Sequence, residues 1–210
     1  MMRHLSSGLA VAAFAGVLAA CGPLVQIGGN AKAPVSLLAL RATAVPLTTA
    51  TTTTDPKATV LVLVPAVPGT LQTLRIPVLT SDTTVEYLTG ATWAEQPNRE
   101  FQHVLADTIA ARGIPVLDPR QSTAASGRTL SGTLLDFSLD VRNPASAIVR
   151  VRFDAALTGV GKTPFAIRRF DATAPVVSQN PTDVAIALNT AANQVAADVA
   201  AWIAHQATEA

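Results

Sequence analysis

Residues 135–154, LDFSLDVRNPASAIVRVRFD, decide the fold because apolar and polar side chains alternate on both sides of an Asn-Pro turn. The apolar positions are Leu135, Phe137, Leu139 and Val141 before the turn, and Val149, Val151 and Phe153 after it. Alternation with a period of two places the two sets of side chains on opposite faces of a strand. The stretch therefore predicts two antiparallel strands with one face in water and the other against the rest of the protein.

The polar positions of these strands limit how the strands can align. A shift of one residue would turn the charged side chains towards the core. Two registers place polar side chains of one strand opposite polar side chains of the other. One register pairs Asp140 with Arg150, and the other pairs Asp136 with Arg152. Both registers place the same four apolar side chains beneath the helices, namely Leu135, Phe137, Val151 and Phe153.

Other strands are predicted around this pair. Residues 59–64, TVLVLV, are apolar throughout, which predicts a central strand buried on both faces. Shorter strands are predicted at 35–40, 85–88 and 114–117. The run 165–174 continues the sheet, but Arg168 and Arg169 stand side by side and interrupt the alternation. A β-bulge is predicted at that point.

Two amphipathic helices complete the pattern. The first begins at Pro97, a residue suited to a first helical turn, and ends at Gly113. Its buried face is predicted to consist of Phe101, Val104, Leu105, Thr108 and Ile109. The second begins at residues 180–183, Asn-Pro-Thr-Asp, which supply a cap, a first-turn proline and an acidic side chain at the positive end of the helix dipole. Its stripe is Val184, Leu188, Ala191, Val195, Val199 and Trp202.

The order of these elements predicts an α+β fold. Strands come before and after the first helix, and the second helix closes the chain. Each helix has one apolar face to bury against a sheet. We therefore expect a two-layer sandwich in which two main helices pack on a mixed, mostly antiparallel sheet.

The N-terminus has the pattern of an export signal. One fixed positive charge at Arg3 precedes the apolar run 9–18, and small residues follow up to Cys21, the single cysteine of the chain. The run is shorter than the roughly 20 residues that a membrane-spanning helix needs. Residues 18–21, Leu-Ala-Ala-Cys, resemble the bacterial lipobox, which implies a diacylglyceryl thioether on Cys21, cleavage before it and acylation of the new amine. Gly22 follows where an aspartate would retain a lipoprotein at the inner membrane, so the resemblance implies the periplasmic leaflet of the outer membrane.

The position of this signal divides the chain into three predicted parts. Residues 1–20 are predicted to be a lipoprotein signal peptide, residues 21–34 a flexible tether and residues 35–208 one α+β domain. The threonine-rich stretch 43–57 is predicted to be an exposed loop. Several acyl chains on Cys21 would hold the protein stably on a membrane, and no other cofactor is expected.

The charge balance after cleavage argues against nucleic acid as a partner. Removing Arg3 leaves 15 − 1 = 14 basic side chains against 14 acidic ones. A phosphate-binding surface requires clustered positive charge. With Cys21 acylated, the chain also has no thiol for a disulfide, a metal site or a nucleophile.

Three segments carry a resemblance to a known family. They are VEYLTGATWAEQPNREFQHVLADTIAARG at 85–113, RRFDATAPV at 168–176 and ALNTAANQVAADVAAWI at 187–203. Together with the lipobox, they resemble the ABC-type transport auxiliary lipoprotein family, which includes the PqiC-like lipoproteins. The resemblance implies a non-enzymatic protein that works beside a transporter whose periplasmic component carries an MCE domain and which moves lipids between the two membranes. Formation of a homo-oligomer is left open.

A search for catalytic chemistry finds weak candidates. Residues 159–163, Gly-Val-Gly-Lys-Thr, imitate the end of a phosphate loop, but Ala156 stands where the pattern requires glycine, so a hairpin turn is favoured. His103 and His205 lie on the predicted helices without a metal or hydrolase motif and are expected to be solvated. The aspartates and arginines of the strand pair are predicted to form cross-strand pairs on a wet face, each contributing about 0.2–1 kcal/mol, rather than an acid and base cluster.

Two functions remain after this search. The favoured one is an accessory subunit of an MCE-type ABC lipid transport system, held at the outer membrane and bound to a periplasmic partner. The alternative is a structural envelope lipoprotein that docks other envelope proteins without transport, and a periplasmic hydrolase is disfavoured by the missing nucleophile and base. The side chains proposed to contact a partner are Leu71, Leu74, Ile76 and Trp93. For Trp93, a place in the core is the favoured alternative, because aromatic residues beside helices are more often core anchors.

Overall fold

The computed structural model describes residues 36–45, 55–117, 127–143, 145–159 and 166–208. The strands in these residues are β1 (Ser36–Leu38), β2 (Val60–Val62), β3 (Pro77–Leu79), β4 (Val85–Tyr87), β5 (Ala91–Trp93), β6 (Val116–Leu117), β7 (Arg128–Asp140), β8 (Ile148–Gly159) and β9 (Ala166–Pro175). The α-helices are α1 (Pro97–Ala111) and α2 (Pro181–Thr208), and short 3-10 helices span Pro56–Ala58 and Gly69–Leu71. The predicted signal peptide and tether, most of the threonine-rich loop and most of the 159–163 turn lie outside the described residues.

The main sheet is organised around β7. One edge of β7 pairs antiparallel with β8 over its whole length, and β8 pairs antiparallel with β9. The other edge is shared, because β2 lies parallel to the start of β7 and β3 lies parallel to its end. Outside these, β6 pairs with β2 and β4 pairs with β3. The longest pairings are antiparallel and the short ones mostly parallel, so the sheet is mixed as predicted.

Both helices lie on one face of this sheet. α1 and α2 pack against each other, and α2 also packs on β8 and β9. The predicted stripes of both helices are buried, and Phe101 of α1 meets Phe153 of β8 with ring centroids 5.4 Å apart. The predicted α+β class, a sheet packed by helices, is confirmed.

The helix ends match the sequence signals. Gly113 adopts φ +78°, and its N–H donates to the carbonyl of Ala110 at 2.9 Å, which ends α1. At the start of α2, Asn180 Oδ1 accepts from the N–H of Asp183 at 2.9 Å, and Asn180 Nδ2 donates back to the Asp183 carboxylate at 2.8 Å. The first of these bonds satisfies one backbone donor that a helix start otherwise leaves unpaired, and the second holds the two side chains together.

The prediction for Leu135 is wrong because β7 contains a bulge. The register with β8 shifts between Leu134 and Asp136, and Leu135 at this point is 38% exposed. Without the extra residue, strict alternation from Phe137 would turn Leu134 outwards. The bulge instead allows Leu134 and Phe137 to be buried in the same core, and the predicted burial of Phe137, Val151 and Phe153 is confirmed.

The bulge predicted at Arg168 and Arg169 is also wrong. β9 pairs with β8 without a shift from Pro175 opposite Ile148 to Ala166 opposite Leu157. Arg168 can occupy the helix side of the sheet because β9 lies at the edge of the sheet, where a long side chain reaches water. Regular alternation therefore continues through both arginines.

The 59–64 strand is central but is buried on only one face. β2 lies between β6 and β7, and Val60 and Val62 are buried against the helices. Leu61 is half-buried and Leu63 is exposed on the opposite face. The two helices that the structure describes cover one side of the sheet, which explains the difference.

Candidate functional surfaces

The predicted lipidation site, Cys21, lies outside the described residues, so the anchor stays a prediction. Among the described residues, neither helix is long and apolar enough to cross a membrane.

Three of the four side chains predicted to contact a partner are buried. Leu71, Ile76 and Trp93 are at most 2% exposed, whereas Leu74 is 41% exposed. The segment between β2 and β3 folds back through the 3-10 helix Gly69–Leu71, and the N–H of Trp93 donates to the carbonyl of Leu74 at 2.7 Å. Of these four side chains, only Leu74 is exposed enough to contact a partner. The prediction of a surface contact is wrong for Leu71, Ile76 and Trp93.

Trp93 belongs to the core rather than to a surface. Its ring lies 5.5 Å from that of Phe137 on β7, centroid to centroid. β5, which carries Trp93, pairs parallel with β1 in a separate two-stranded sheet. The indole thus joins the N-terminal strand to the main core.

Polar side chains of the two helices hold the chain that follows β1, and we call residues 40–43 with these partners the N-terminal clasp. Glu100 Oε2 of α1 accepts from the N–H of Leu40 at 3.1 Å. On α2, Asn193 Oδ1 accepts from the N–H of Thr43 at 2.7 Å, and Asn193 Nδ2 donates to the carbonyl of Arg41 at 2.8 Å. Asn189 Oδ1 accepts from the N–H of Arg41 at 2.8 Å.

The clasp was missed from the sequence, although a signal exists. Asn189 and Asn193 stand four residues apart in an otherwise alanine-rich helix, so they share one side of it. Asparagine in a helix interior has low intrinsic propensity, which favours a specific hydrogen-bonding role. The sequence did not identify the distant backbone that these amides would bind.

The face of the sheet that carries no helices bears a balanced set of charges. Asp136 stands opposite Arg152, so one of the two predicted registers is confirmed. Arg152 Nε nevertheless donates to Asp171 of β9 at 2.6 Å, and Arg169 binds Asp154 through two hydrogen bonds of 2.6 and 2.7 Å. The arginine holds the pKa of the Asp154 carboxyl below its ordinary value. These pairs are exposed and contribute little to stability.

Asp136 is the exception on this face. Burial raises the pKa of its carboxyl, and the hydrogen bond that Ser138 donates to it opposes that rise. Leu135 and Val85 lie beside it around a cavity of about 150 Å³. The predicted solvation of the polar face is wrong at Ser138 and Asp140, which are both buried.

One end of the sheet is fastened by Arg142. Its guanidinium donates to both carboxylate oxygens of Asp140, at 2.9 and 2.6 Å, and to Asp82 at 2.6 Å. The pKa of Asp140 is lowered chiefly by the hydrogen bonds from Arg142. This cluster joins the end of β7 to the loop between β3 and β4.

The described residues offer no assembled catalytic site. His103 and His205 are exposed on the two helices, as predicted, and Lys162 lies outside the described range. No group of three or more His, Cys, Asp or Glu side chains in the described part of the chain is placed to hold a metal ion. The arrangement can bind by shape and charge, but it does not bring a nucleophile, a base and a charge stabiliser together.

Comparison with known proteins gives one family match. The model of the family described as "ABC-type transport auxiliary lipoprotein component" matches residues 39–200. No curated protein matches the sequence at a significant level.

Several solved structures have a similar fold, among them the following two. Protein XCC0632 from Xanthomonas campestris, of the family DUF330, has a TM-score of 0.69 at 18% identity, covering 83% of this chain and 99% of that one. The crystal structure of an uncharacterized protein has a TM-score of 0.58 at 18% identity, covering 70% of this chain and 92% of that one. At these identities the similarity shows a shared fold.

Proposed function

Because the chain belongs to the ABC-type transport auxiliary lipoprotein component family, we propose that it is a non-catalytic accessory subunit of an MCE-type ABC system that moves lipids between the inner and outer membranes. The observation that carries this proposal is the family match over residues 39–200.

The proposed attachment is a lipid anchor on Cys21 in the periplasmic leaflet of the outer membrane. The support is the position of this single cysteine at the end of an apolar N-terminal run. The domain would then face the periplasm and bind a periplasmic MCE-domain protein. The N-terminal clasp bonds residues 40–43 to both helices, so a tether leading to Cys21 would join the domain next to these bonds.

The anchor is tested by replacing Cys21 with serine in the full chain expressed in cells. We expect loss of incorporated fatty acid, loss of membrane fractionation and impaired lipid transport between the membranes, because serine provides no thiol for the thioether. Ala31→Ser, also in the predicted tether, is the matched control and should leave all three measurements unchanged.

The outcomes separate the two functions derived from the sequence. If the Cys21→Ser variant still carries acyl chains and fractionates with membranes, the anchor is wrong. If the anchor is confirmed but deletion of the protein impairs envelope integrity without changing lipid transport, the structural envelope lipoprotein is the correct function. Co-purification of the anchored chain with an MCE-domain protein is expected under the proposal.

A further inference from the structure

The outer edge of β9 offers backbone groups for hydrogen bonding. In the part of the chain that the structure describes, β9 pairs with β8 along one edge and with no strand along the other. The N–H of Val176 donates to the carbonyl of Ala147 at 3.1 Å, so the backbone groups of every second residue from Val176 point towards β8. The backbone groups of Ile167, Arg169, Asp171 and Thr173 therefore point away from β8. The backbone of Pro175 also points away from β8, so its missing N–H removes no hydrogen bond between β8 and β9.

A groove runs beside this edge, on the helix side of the sheet. It has a volume of about 810 Å³ and lies between β9 and the C-terminal half of α2. Phe170 and Trp202 form its apolar floor, with ring centroids 5.6 Å apart. The exposed Arg168 lies at one side, with its guanidinium carbon 5.1 Å from the centre of the Phe170 ring.

The charge of Arg168 is not neutralised within the described residues. Its neighbour Arg169 binds Asp154 on the opposite face, but Arg168 makes no ion pair with a described carboxylate. Asp198 also lines the groove, where its carboxylate accepts from Gln194 Nε2 at 3.0 Å. An acidic group entering beside Arg168 would thus meet a cation that lies against an aromatic ring and makes no ion pair with a described carboxylate.

We infer that the β9 edge binds an extended segment of a partner protein as an added strand. Main-chain hydrogen bonds to the outward groups of β9 would provide affinity, and the groove would select side chains. Side chains on one face of a strand are two residues apart, so the partner carries an acidic residue facing Arg168 and an apolar residue two positions away facing Phe170 and Trp202. This inference rests on the proposed function only in that the chain binds its partner by a surface.

A second copy of the chain fits this edge less well. If two β9 strands paired antiparallel through their outward groups, Arg168 would face an even-numbered residue of the other copy. The candidates on β9 are Ala166, Arg168, Phe170, Ala172 and Ala174. None of them is acidic, so self-pairing would enclose Arg168 without a counter-charge, and such an inward-pointing charge disfavours association between identical edges.

The test measures binding of a labelled peptide, Thr-Val-Thr-Asp-Thr-Val-Thr with blocked ends, to the purified full chain by fluorescence anisotropy. We expect saturable binding that Arg168→Glu weakens at least about tenfold, because a charge-assisted hydrogen bond is replaced by repulsion. Thr173→Pro should weaken binding similarly by removing one outward N–H, whereas Thr173→Ala should not. Arg150→Glu, on the face without helices, should leave the affinity unchanged.

Three results would overturn the inference. They are equal binding of a peptide with Lys in place of Asp, an unchanged affinity of the Arg168→Glu variant, and the absence of saturable binding to a chain with native circular dichroism. A dimer that Thr173→Pro dissociates, and that the peptide does not, would assign the edge to a second copy and would also overturn it. The assay requires neither the anchor nor transport, so its failure and that of the proposed function are distinguishable.

Discussion

At the scale of single residues, Gly132 shows how closely β7 and β8 pack. A Cβ atom at this position would lie 2.2 Å from the carbonyl oxygen of Asp154 and 2.6 Å from Cε2 of Phe153. The carbonyl belongs to the backbone of the paired strand and the ring belongs to the core. Only a hydrogen fits there without movement of the sheet.

Gly132→Ala is therefore expected to lower the free energy of unfolding by about 1–3 kcal/mol, the usual cost of overpacking a core. Urea denaturation followed by circular dichroism measures it. Gly69→Ala is the matched control, because a Cβ at Gly69 meets nothing within 4 Å. Equal stability of the two variants would show that β7 and β8 can separate at this point without cost.

The half-buried carboxyl of Asp136 makes stability depend on pH. Its pKa is raised above 3.8 in the folded protein, chiefly by burial. The folded state therefore binds the proton more tightly than the unfolded state, and the resulting stabilisation is present below pH 3.8 and lost as the pH rises through the folded pKa. Asp136→Asn removes this titration and retains an oxygen that can accept from Ser138. Relative to the parent, the variant should gain stability between pH 3 and pH 7, as measured by urea denaturation at both values.

Asp154→Asn serves as the comparison with the opposite sign. The pKa of Asp154 is lowered by Arg169, so its contribution is present at neutral pH and lost as the pH falls through the folded pKa. That variant should lose stability relative to the parent between pH 3 and pH 7. The same sign for both variants would contradict the environments assigned to the two carboxyls.

At the scale of elements, the N-terminal clasp joins a short strand to two helices. The side chain of Asn193 is buried and forms hydrogen bonds with both Thr43 and Arg41. Asn193→Ala leaves these backbone groups without their partner, and we expect a loss of about 1–3 kcal/mol in the free energy of unfolding. Amide hydrogen exchange should accelerate at Thr43 more than in β7, because the clasp can open locally.

Gln194→Ala is the matched control for the clasp, since Gln194 is an exposed neighbour on α2 whose amide binds only Asp198 among the described residues. It should leave the exchange of Thr43 unchanged. A uniform acceleration throughout the protein in the Asn193 variant would mean that the clasp and the core unfold together.

The elements differ in how far the sequence predicts them. Both helices and the three long strands are predicted, because each repeats its period over enough residues to be recognised. β3 and β5 are not predicted from the sequence, because three residues show no complete period and neither strand lies in a longer apolar run like that of β2. Their positions depend on pairing with β7 and β1. The bulge at Leu135 was missed for a related reason: both Leu134 and Leu135 are apolar, and only the packed core decides which is buried.

The candidate surfaces were harder to predict than the fold. Leu71 and Ile76 look like spare apolar residues in a loop, but the loop packs them against the core. Composition does not show which side of a loop faces water. The sequence shows that Arg168 interrupts the alternation of its strand. Its position at an open edge follows only from the order of strands in the sheet.

At the scale of the whole molecule, a protein that does not catalyse a reaction should keep its function when the side chains that most resemble catalytic groups are replaced. Single replacements His103→Ala, His205→Ala and Lys162→Ala should leave lipid transport and envelope integrity nearly unchanged. Both should be measured in cells with the protein level confirmed by immunoblot, and Cys21→Ser provides the variant expected to fail. A sharp loss of transport in one of the three variants, with the protein still folded, would indicate a catalytic or nucleotide-binding role.

The N-terminal clasp also has a mechanical consequence for a protein attached as proposed. Tension applied through the N-terminus enters the domain at β1 and reaches the helices through the hydrogen bonds of Leu40, Arg41 and Thr43. The three residues of β1 and these few bonds are a weaker connection than the long ladder between β7 and β8. Under load, residues 36–43 would separate first and extend the attachment by at most about 29 Å while the sheet stays folded. The domain would thus follow a moving partner across the periplasm over a short distance and return when the force is released.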